Sequence, residues 1–393
     1  MSESSGKSGS GALRELALLF GRLGFTAFGG PAAHIALFEE EVVRRRKWLT
    51  HGEFLDLLGV TNLIPGPNST EMVIHVGQIR AGFRGMVVAG AAFILPASLI
   101  VGVCAWLYVR FGGLPQAEGI LYGVKPVVLA VIAQALWGLG GKVAEKRPQA
   151  LVAVLATAAV WFGAGELMVL LFAGGIMAVR AAAVHGLARH VRGLALLALF
   201  AAVFIGLTAM LPDDGGSARP FSLTALFLFF FKVGSVLYGS GYVLIAFIES
   251  SLVSHWGWLT QTQLLDAVAV GQVTPGPLFT AATFIGFLLA GVSGAAVGTL
   301  GIFLPSFVFV GLSGPLIPKI RQSVLAGAFL DVVNAASLAL MAVVTLRLGI
   351  GILVDPVSAL IAVCCAYALF RYRINSTWLV AGGAAGGLAL SLL

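Results

Sequence analysis

Two copies of the tripeptide Pro-Gly-Pro interrupt an otherwise apolar sequence, at residues 65–67 in LIPGPNSTEM and at residues 275–277 in VTPGPLFT. Proline lacks a backbone N–H and disfavours helical conformation in the residue before it. Each copy therefore predicts a break between helices. In hydrocarbon, the polar backbone groups that such a break exposes are tolerated only where they face protein or a water-filled cavity.

The composition places these breaks in a membrane protein. Of the 393 residues, 59% are hydrophobic and 10% are charged, whereas soluble domains carry about 25% charged residues. The net charge of +7 lies in short clusters between apolar segments, a pattern typical of membrane loops rather than of a nucleic-acid-binding surface. The cysteines Cys104, Cys364 and Cys365 lack metal-ligand spacing. We expect a multi-pass protein in contact with lipid, with no metal and no nucleic-acid partner.

The chain contains an internal duplication. A shift of 210 residues carries Trp48-Leu49-Thr50 onto Trp258-Leu259-Thr260 and the first Pro-Gly-Pro onto the second. The same shift aligns Asp56 with Asp266. Matches of this kind in one register indicate two homologous repeats. We predict a disordered tail at 1–13, a first repeat at 14–192, an unpaired connecting helix with a polar linker at 193–222, and a second repeat at 223–393.

Charge placement predicts that the repeats are inverted. The basic cluster RRRK at 44–47 corresponds to the uncharged SHWG at 254–257, whereas the basic residues near 319–321 and 371–373 have no basic counterparts in the first repeat. If basic loops are cytoplasmic, the two repeats cross the bilayer in opposite directions. This topology requires segments 14–47 and 53–82, and their equivalents 223–257 and 261–290, to be hairpins or broken helix pairs.

The breaks also predict an anion site. A helix that restarts after Pro67 directs free N–H groups and a partial positive charge at the break, and this geometry binds anions. The alternative is a capping box, in which Asn68 and Glu71 satisfy the helix start themselves. The second repeat has Leu278 and Ala281 at these positions, so the break recurs where that cap does not.

Ionisable residues inside apolar segments are further candidates, because an ionisable group at membrane depth is a functional candidate by default. Arg22 and Lys232 occupy equivalent positions and contact either an anion or the lipid headgroups. Glu39 and Glu249 are also equivalent and could carry protons or form ordinary ion pairs. Asp56 and Asp266 could be functional, or cap or pair near the interface.

Glu71 and His75 lie one helical turn apart and have no counterparts in the second repeat. Both could carry a proton, although a lone histidine on such a helix is more often structural. Lys125 is an isolated charge without a basic equivalent. The sequence contains neither an ATP-binding P-loop motif nor a dinucleotide fingerprint, so we expect no enzymatic activity, no cofactor and no ATP-driven transport within this chain.

The sequence resembles the chromate ion transporter family. The segment FTAFGGPAAHIALFEEEVVRRRKWLT, followed by LIPGP and FILP, is similar to the N-terminal signature of that family. The segments GSGYVLIAFIESSLVSHWGWLT and VTPGPLFTAATFIG are similar to the C-terminal half of its two-domain members. One departure is GPNSTE after the first break, where many members resemble GPxxSQ. The glutamate adds negative charge beside the predicted anion site.

The resemblance implies a secondary transporter that exports chromate across the bacterial inner membrane, confers chromate resistance and uses the proton gradient or membrane potential. The alternatives are a carrier for sulfate or another oxyanion, which could be an importer, and an anion channel. A homodimer is compatible with each of these functions. The substrate-binding residues predicted from the breaks and the resemblance are Arg22, Gly29, Gly30, Pro31, His34, Pro65, Gly66, Pro67, Asn68, Ser69, Lys232, Ser240, Gly241, Pro275, Gly276, Pro277 and Thr280. The proton-coupling candidates are Glu39, Glu71, His75 and Glu249.

Overall fold

The computed structural model describes residues 9–28, 31–62, 64–144, 147–162, 166–185, 220–237, 241, 243–313, 324–372 and 374–392. Within these ranges the chain forms helices joined by loops and contains no β-strand. The predicted all-α fold is therefore confirmed.

The first repeat contributes seven α-helices within the described ranges. They are α1 (Gly9–Thr26), α2 (Pro31–Glu39), α3 (His51–Thr61), α4 (Asn68–Phe111), α5 (Pro115–Ala144), α6 (Arg147–Trp161) and α7 (Glu166–His185). A π-helical turn, Glu40–Arg45, extends α2. Residues 9–13 of the predicted tail lie in α1, and residues 1–8 fall outside the described ranges.

The second repeat has the same order of elements. It contains α8 (Leu223–Val236), α9 (Val243–Ile248), α10 (Gln261–Val273), α11 (Ala281–Ser313), α12 (Val324–Ile352), α13 (Pro356–Tyr367) and α14 (Ser376–Ser391). A π-helical turn, Glu249–His255, extends α9, and a 3₁₀ turn, Leu278–Thr280, precedes α11. The predicted connecting helix at 193–211 lies outside the described residues.

Each repeat is interrupted at equivalent places. Both Pro-Gly-Pro tripeptides lie in gaps between helices, and α2 begins at Pro31, the last residue of the predicted GGP break, whose two glycines lie outside the described residues. A further interruption lies inside α4 at Ala81 and Gly82 and inside α11 at Ala290 and Gly291, where the backbone leaves the helical region. Gly82 has a φ of 60° and Gly291 a φ of 58°, values that glycine adopts readily. These points coincide with the predicted ends of the hairpin segments 53–82 and 261–290.

The two repeats are interleaved rather than placed side by side. Within the repeats, α1 packs on α4 and α8 packs on α11. Between the repeats, α4 packs on α11, α5 packs on α13 and α14, and α12 packs reciprocally on α6 and α7. Glycines permit the closest of these approaches: a Cβ on Gly123 would overlap the backbone of Gly383, and a Cβ on Gly387 would overlap that of Gly119. Such contacts are typical of helix packing in lipid.

The outer surface suits a bilayer. Within the described ranges, four helical segments are long and apolar enough to span one: Asn68–Phe111, Pro115–Gly141, Leu278–Leu312 and Gly327–Ile352. Large apolar side chains face outward, with Phe83 73% exposed, Trp137 76% exposed and Phe162 86% exposed. In water this surface would be unfavourable, whereas lipid chains contact it without penalty.

Candidate functional site

Each Pro-Gly-Pro break forms a backbone hydrogen bond with the other repeat. The two bonds are equivalent to each other. The backbone N–H of Gly66 donates to the carbonyl oxygen of Leu237, which follows α8, at 2.8 Å. The N–H of Gly276 donates to the carbonyl oxygen of Ala27, which follows α1, at 2.9 Å. The shift of 210 residues carries one bond onto the other. We call the region around these two bonds the crossing.

Glycine is required at the centre of both breaks. Gly66 has a φ of 136° and Gly276 a φ of 95°, a region that residues with a Cβ rarely occupy. The neighbours differ between the two breaks. A Cβ on Gly66 would meet the Glu71 carboxylate and the Ser306 hydroxyl, whereas a Cβ on Gly276 would meet the Cβ of Ala97.

The helices that follow the breaks start without a side-chain cap. Pro67 precedes α4 and Pro277 precedes the 3₁₀ turn, and neither helix start receives a side-chain capping bond. By contrast, α3 and α10 each begin with a complete capping box, at Thr50 and Thr260. The first-turn N–H groups of α4 therefore provide the positive potential from which an anion site can be built.

The capping box that the sequence offered as an alternative at Asn68 is wrong. The N-cap of α4 is Pro67, so Asn68 lies one residue too late to cap it. The Asn68 amide instead donates to Asn62 Oδ1 at 2.6 Å. In the second repeat the Thr280 hydroxyl donates to the Pro277 carbonyl oxygen at 2.8 Å and so remains within its own turn.

Buried polar atoms without partners concentrate on α4, and one more lies on α11, which packs on α4. Glu71 and Ser306 are fully buried, Thr70 likewise, and His75 is 3% exposed. The following side-chain atoms have no hydrogen-bond partner among the described residues: Thr70 Oγ1, both carboxylate oxygens of Glu71, His75 Nε2, Ser98 Oγ and Ser306 Oγ. Buried polar groups are nearly always paired. Such a group of unpaired atoms is typical of a place that receives water, a proton or a ligand.

His34 supports the crossing from α2. Its Nε2 lies 3.1 Å from the carbonyl oxygen of Ala27, the same atom that accepts from Gly276. The ring packs edge-on against Phe93 and beside Phe38. His34 therefore ties α2 to the end of α1 next to the break.

Arg22 has an acidic partner away from the breaks. Its guanidinium lies 2.6 Å from Glu41 Oε1. Glu41 is 2% exposed and also pairs with Arg45 and Arg46. Sequence analysis did not single out Glu41, because its partner Arg22 lies on another helix. Lys232, at the equivalent position of α8, is partly buried.

Glu39 and Glu249 occupy equivalent positions at the π-helical turns and both form polar pairs. Glu39 Oε1 lies 3.1 Å from His51 Nδ1. Glu249 accepts from the Ser254 hydroxyl at 3.0 Å and from Arg347 at 3.4 Å. The structure thus brings neither of them to the crossing through a described contact.

The remaining predicted residues lie at the breaks or outside the described ranges. Gly29, Gly30 and Ser240 fall outside them, and Pro31 begins α2. Gly241 is buried, and a Cβ there would lie 3.0 Å from the Phe279 ring. The other buried residues predicted at the two breaks are Pro65, Pro67, Ser69, Pro275 and Pro277.

A buried charge cluster joins the repeats close to α4. Asp266, 1% exposed, lies 2.8 Å from the ammonium of Lys125 and accepts from the Tyr108 hydroxyl at 2.8 Å. Lys125 is on α5 and Tyr108 on α4, so both come from the first repeat. The sequence signals for this cluster were the isolated apolar context of Lys125 and the equivalence of Asp266 with Asp56; their pairing was not predicted. No group of three or more histidine, cysteine or carboxylate side chains suited to a metal occurs in the part of the chain that the structure describes.

Comparison with known proteins places this architecture in a family. The profile of the chromate transporter family matches residues 14–179 and 224–388. The chain belongs to the chromate transporter family. The two matched segments coincide with the two structural repeats.

Relatives match over most of the chain. The chromate transport protein of Cupriavidus metallidurans is 31% identical over 381 residues, covering 96% of this chain and 92% of its own. The probable chromate transport protein of Synechococcus elongatus is 30% identical over 345 residues, covering 86% and 85%. The chromate transport protein of Pseudomonas aeruginosa is 31% identical over 333 residues, covering 84% and 79%. No solved structure matches significantly.

Membership of the chromate transporter family and the apolar helices together identify a multi-pass membrane protein. In transporters, discontinuous helices typically form the substrate site, because irregular backbone at membrane depth must face protein or a water-filled cavity. The crossing is therefore the candidate substrate site of this family member.

Proposed function

We propose that this protein is a secondary active transporter that exports chromate from the cytoplasm across the bacterial inner membrane and thereby confers chromate resistance. Family membership supports transport, and relatives covering most of the chain are named chromate transport proteins. The named relatives are transporters, which argues against an enzymatic role.

The observation that carries the proposal is the crossing itself. Each Pro-Gly-Pro break donates a backbone hydrogen bond to the residue that follows the first helix of the other repeat. The helix start after Pro67 is uncapped, and unpaired buried hydroxyls lie on the packed helices. Chromate is a tetrahedral dianion. Free N–H groups at a helix start and hydroxyl donors suit such an anion.

Alternating access would follow from movement of one repeat against the other. The repeats are proposed to be inverted, and the bonds of Gly66 and Gly276 would hold them together at the substrate site during that movement. The driver would be the proton gradient or the membrane potential. Glu39, Glu71, His75 and Glu249 are the candidates for carrying protons.

The test is anion flux in everted membrane vesicles. Radiolabelled chromate and sulfate are supplied in parallel, and the pH gradient and voltage are collapsed separately. We expect uptake of chromate that stops when the driving gradient is removed. Uptake of sulfate alone would contradict chromate as the substrate. A steady anion current that needs neither gradient would indicate a channel.

The inverted arrangement has its own test. Single cysteines at residue 216, in the linker, and at residue 371 are labelled with a membrane-impermeant reagent from each side of the membrane. The proposed topology predicts labelling from opposite sides. Labelling of both from one side would contradict it.

A further inference from the structure

Glu71 lies at the start of α4 with its carboxylate turned back towards the break. It belongs to the first turn of the helix, and its Oε1 occupies the space next to Gly66 where a Cβ would otherwise fit. Glu71 is fully buried; neither carboxylate oxygen forms a hydrogen bond of regular geometry among the described residues, and the Ser306 hydroxyl interacts with the carboxylate. The side chain thus places an acidic group in the space that an anion at this helix start would use.

Helix α11 of the second repeat borders this space and carries no charged side chain. Ser306 of α11 is fully buried and its hydroxyl lies next to the same point beside Gly66. The whole of α11 contains no Asp, Glu, Lys, Arg or His. Glu71 therefore meets no compensating charge from the helix that faces it across the crossing.

Several ionisable groups on the other elements packed on α4 are engaged with partners of their own. On α1, Arg22 pairs with Glu41, and on α2, His34 is bonded to Ala27. On α10, Asp266 is held by Lys125 and Tyr108. The remaining groups on these elements and on α4 itself are Arg14, Glu15, Glu39, His51, Glu53, Asp56, His75, Arg80, Arg84 and Arg110. Of these, His75 lies one turn from Glu71 and is buried.

The state of the Glu71 carboxyl decides what the crossing can bind. An ionised carboxylate at this depth is costly without a partner, and it repels a dianion brought to the same helix start. The protonated acid is neutral and can donate a hydrogen bond to an anion oxygen. Protonation of His75 would act in the same direction, because an imidazolium attracts the anion. Proton binding and anion binding therefore favour each other here.

We propose that Glu71 is a proton-binding site that must be protonated before the oxyanion binds at the first break, so that one proton and the dianion bind and cross the membrane together. The complex carries a net charge of −1, so the membrane potential, negative inside, rather than the pH gradient, drives it outward. This inference rests on the proposed function. The second break offers no equivalent group, since Ala281 and Ala97 take the places of Glu71 and Ser306 there. One proton per anion therefore follows from the asymmetry of the crossing.

The first test measures proton uptake on binding. The purified full-length protein is titrated with chromate, and in parallel with sulfate, by calorimetry in buffers of different ionisation enthalpy, over a pH range in which the free anion keeps one protonation state. We expect uptake that approaches about one proton per anion as pH rises, and an affinity that falls by up to about tenfold per pH unit. Release of protons, or a lack of uptake at every pH, would overturn the inference.

Substitutions assign the proton to a residue. Glu71→Gln keeps the size of the side chain and imitates the protonated acid, so we expect it to bind the anion without proton uptake and without pH dependence. Glu118→Gln, at an exposed site on α5, is the matched control and should behave as the wild type. His75→Gln should retain uptake. Uptake that survives Glu71→Gln, or that disappears with His75→Gln alone, would overturn the assignment to Glu71.

Flux in liposomes gives a test that does not depend on a variant. With the wild-type protein and an inward gradient of chromate, co-transport acidifies the lumen, and a trapped pH-sensitive dye reports the change. Alkalinisation would indicate exchange and overturn the inference. A wild-type protein that binds and transports neither chromate nor sulfate would instead remove the proposed function, whereas anion transport without proton movement would remove only the coupling.

Discussion

The two breaks at the crossing have equivalent backbone conformations and hydrogen bonds, but the side chains beside them differ. In both, a glycine with positive φ donates a hydrogen bond to the residue that ends the first helix of the other repeat. Beside Gly66 lie a carboxylate and a hydroxyl, whereas beside Gly276 lies the methyl group of Ala97. The reciprocal bonds require the same backbone in both repeats, because each break supplies the partner of the other. The polar side chains are not needed for these bonds, and a carboxylate and a hydroxyl lie beside Gly66 but not beside Gly276.

The aspartates that follow the WLT motif show the same divergence. Asp266 is buried between Lys125 and Tyr108 of the first repeat, whereas the equivalent Asp56 is exposed. The two repeats thus keep the same helix order, but of these two equivalent aspartates only Asp266, in the second repeat, is buried. The largest mutational differences between the repeats should therefore appear where equivalent residues have different environments.

The largest difference in stability is expected between the sites of the two equivalent aspartates, Asp266 with its partner Lys125 and the exposed Asp56. Replacing Lys125 with methionine leaves the Asp266 carboxylate buried without its cation, which costs about 3–5 kcal/mol of stability. Asp56→Asn should change stability by less than about 0.5 kcal/mol, because the site is exposed. Unfolding by SDS in mixed micelles measures both. A double variant with Asp266→Leu should recover most of the loss, and equal effects of Lys125→Met and Asp56→Asn would contradict the comparison.

The break glycines should separate stability from transport. Gly276→Ala is expected to cost about 2–3 kcal/mol through strain and overlap with Ala97, and Ala97→Gly should restore the part that comes from overlap. Gly66→Ala displaces the flexible Glu71 side chain, so transport should fall at least tenfold with a smaller loss of stability. Unfolding and chromate flux are measured on the same preparations. Rescue of Gly66→Ala by Ala97→Gly would contradict the assigned neighbours.

Where the repeats are alike, the effects should be alike. Thr50→Ala and Thr260→Ala each remove the hydroxyl of a capping box and should each cost about 1 kcal/mol. Both caps lie outside the crossing, so the chromate affinity should not change. The measurement is the free energy of unfolding of the two variants. A cost confined to one repeat would show that the two helix starts are not equivalent in the folded protein.

A small effect is also expected at Arg22. Arg22→Ala should cost less than about 1 kcal/mol, because its side chain is half exposed and Glu41 keeps Arg45 and Arg46. Chromate affinity should also change little if the ion pair is the main role of Arg22. Equilibrium binding compares Arg22→Ala with Arg44→Ala, which alters an exposed pair nearby. A fall of tenfold or more for Arg22 alone would support direct contact with the anion, as the sequence suggested.

The duplication, the helix order and the positions of the interruptions were predictable from the sequence, because they depend on local patterns. The Pro-Gly-Pro tripeptides predict the breaks, and the shift of 210 residues relates the first tripeptide to the second. The ends predicted at 82 and 290 coincide with the glycine kinks. The capping boxes at Thr50 and Thr260 were equally readable, as Thr-x-x-Glu and Thr-x-x-Gln, and were not recognised.

The partners of the polar side chains were not predictable. Ser306 is a lone hydroxyl in an apolar helix, and only the packing of α11 on α4 brings it next to Gly66. Lys125 and Asp266 lie in different repeats, so their pairing depends on the interleaved arrangement. The Asn68 alternative failed because proline at the N-cap shifts the helix start by one residue. Each of these features depends on long-range packing.

The central claim is that the oxyanion binds at the crossing, beside Gly66 and Glu71. The most direct measurement is a chromate-bound experimental structure in which chromium is located by its anomalous scattering. We predict a chromium peak between the start of α4 and α11, with both Pro-Gly-Pro segments interrupting their helices. Continuous helices through residues 65–67 and 275–277, or a chromium site away from the crossing, would contradict the account.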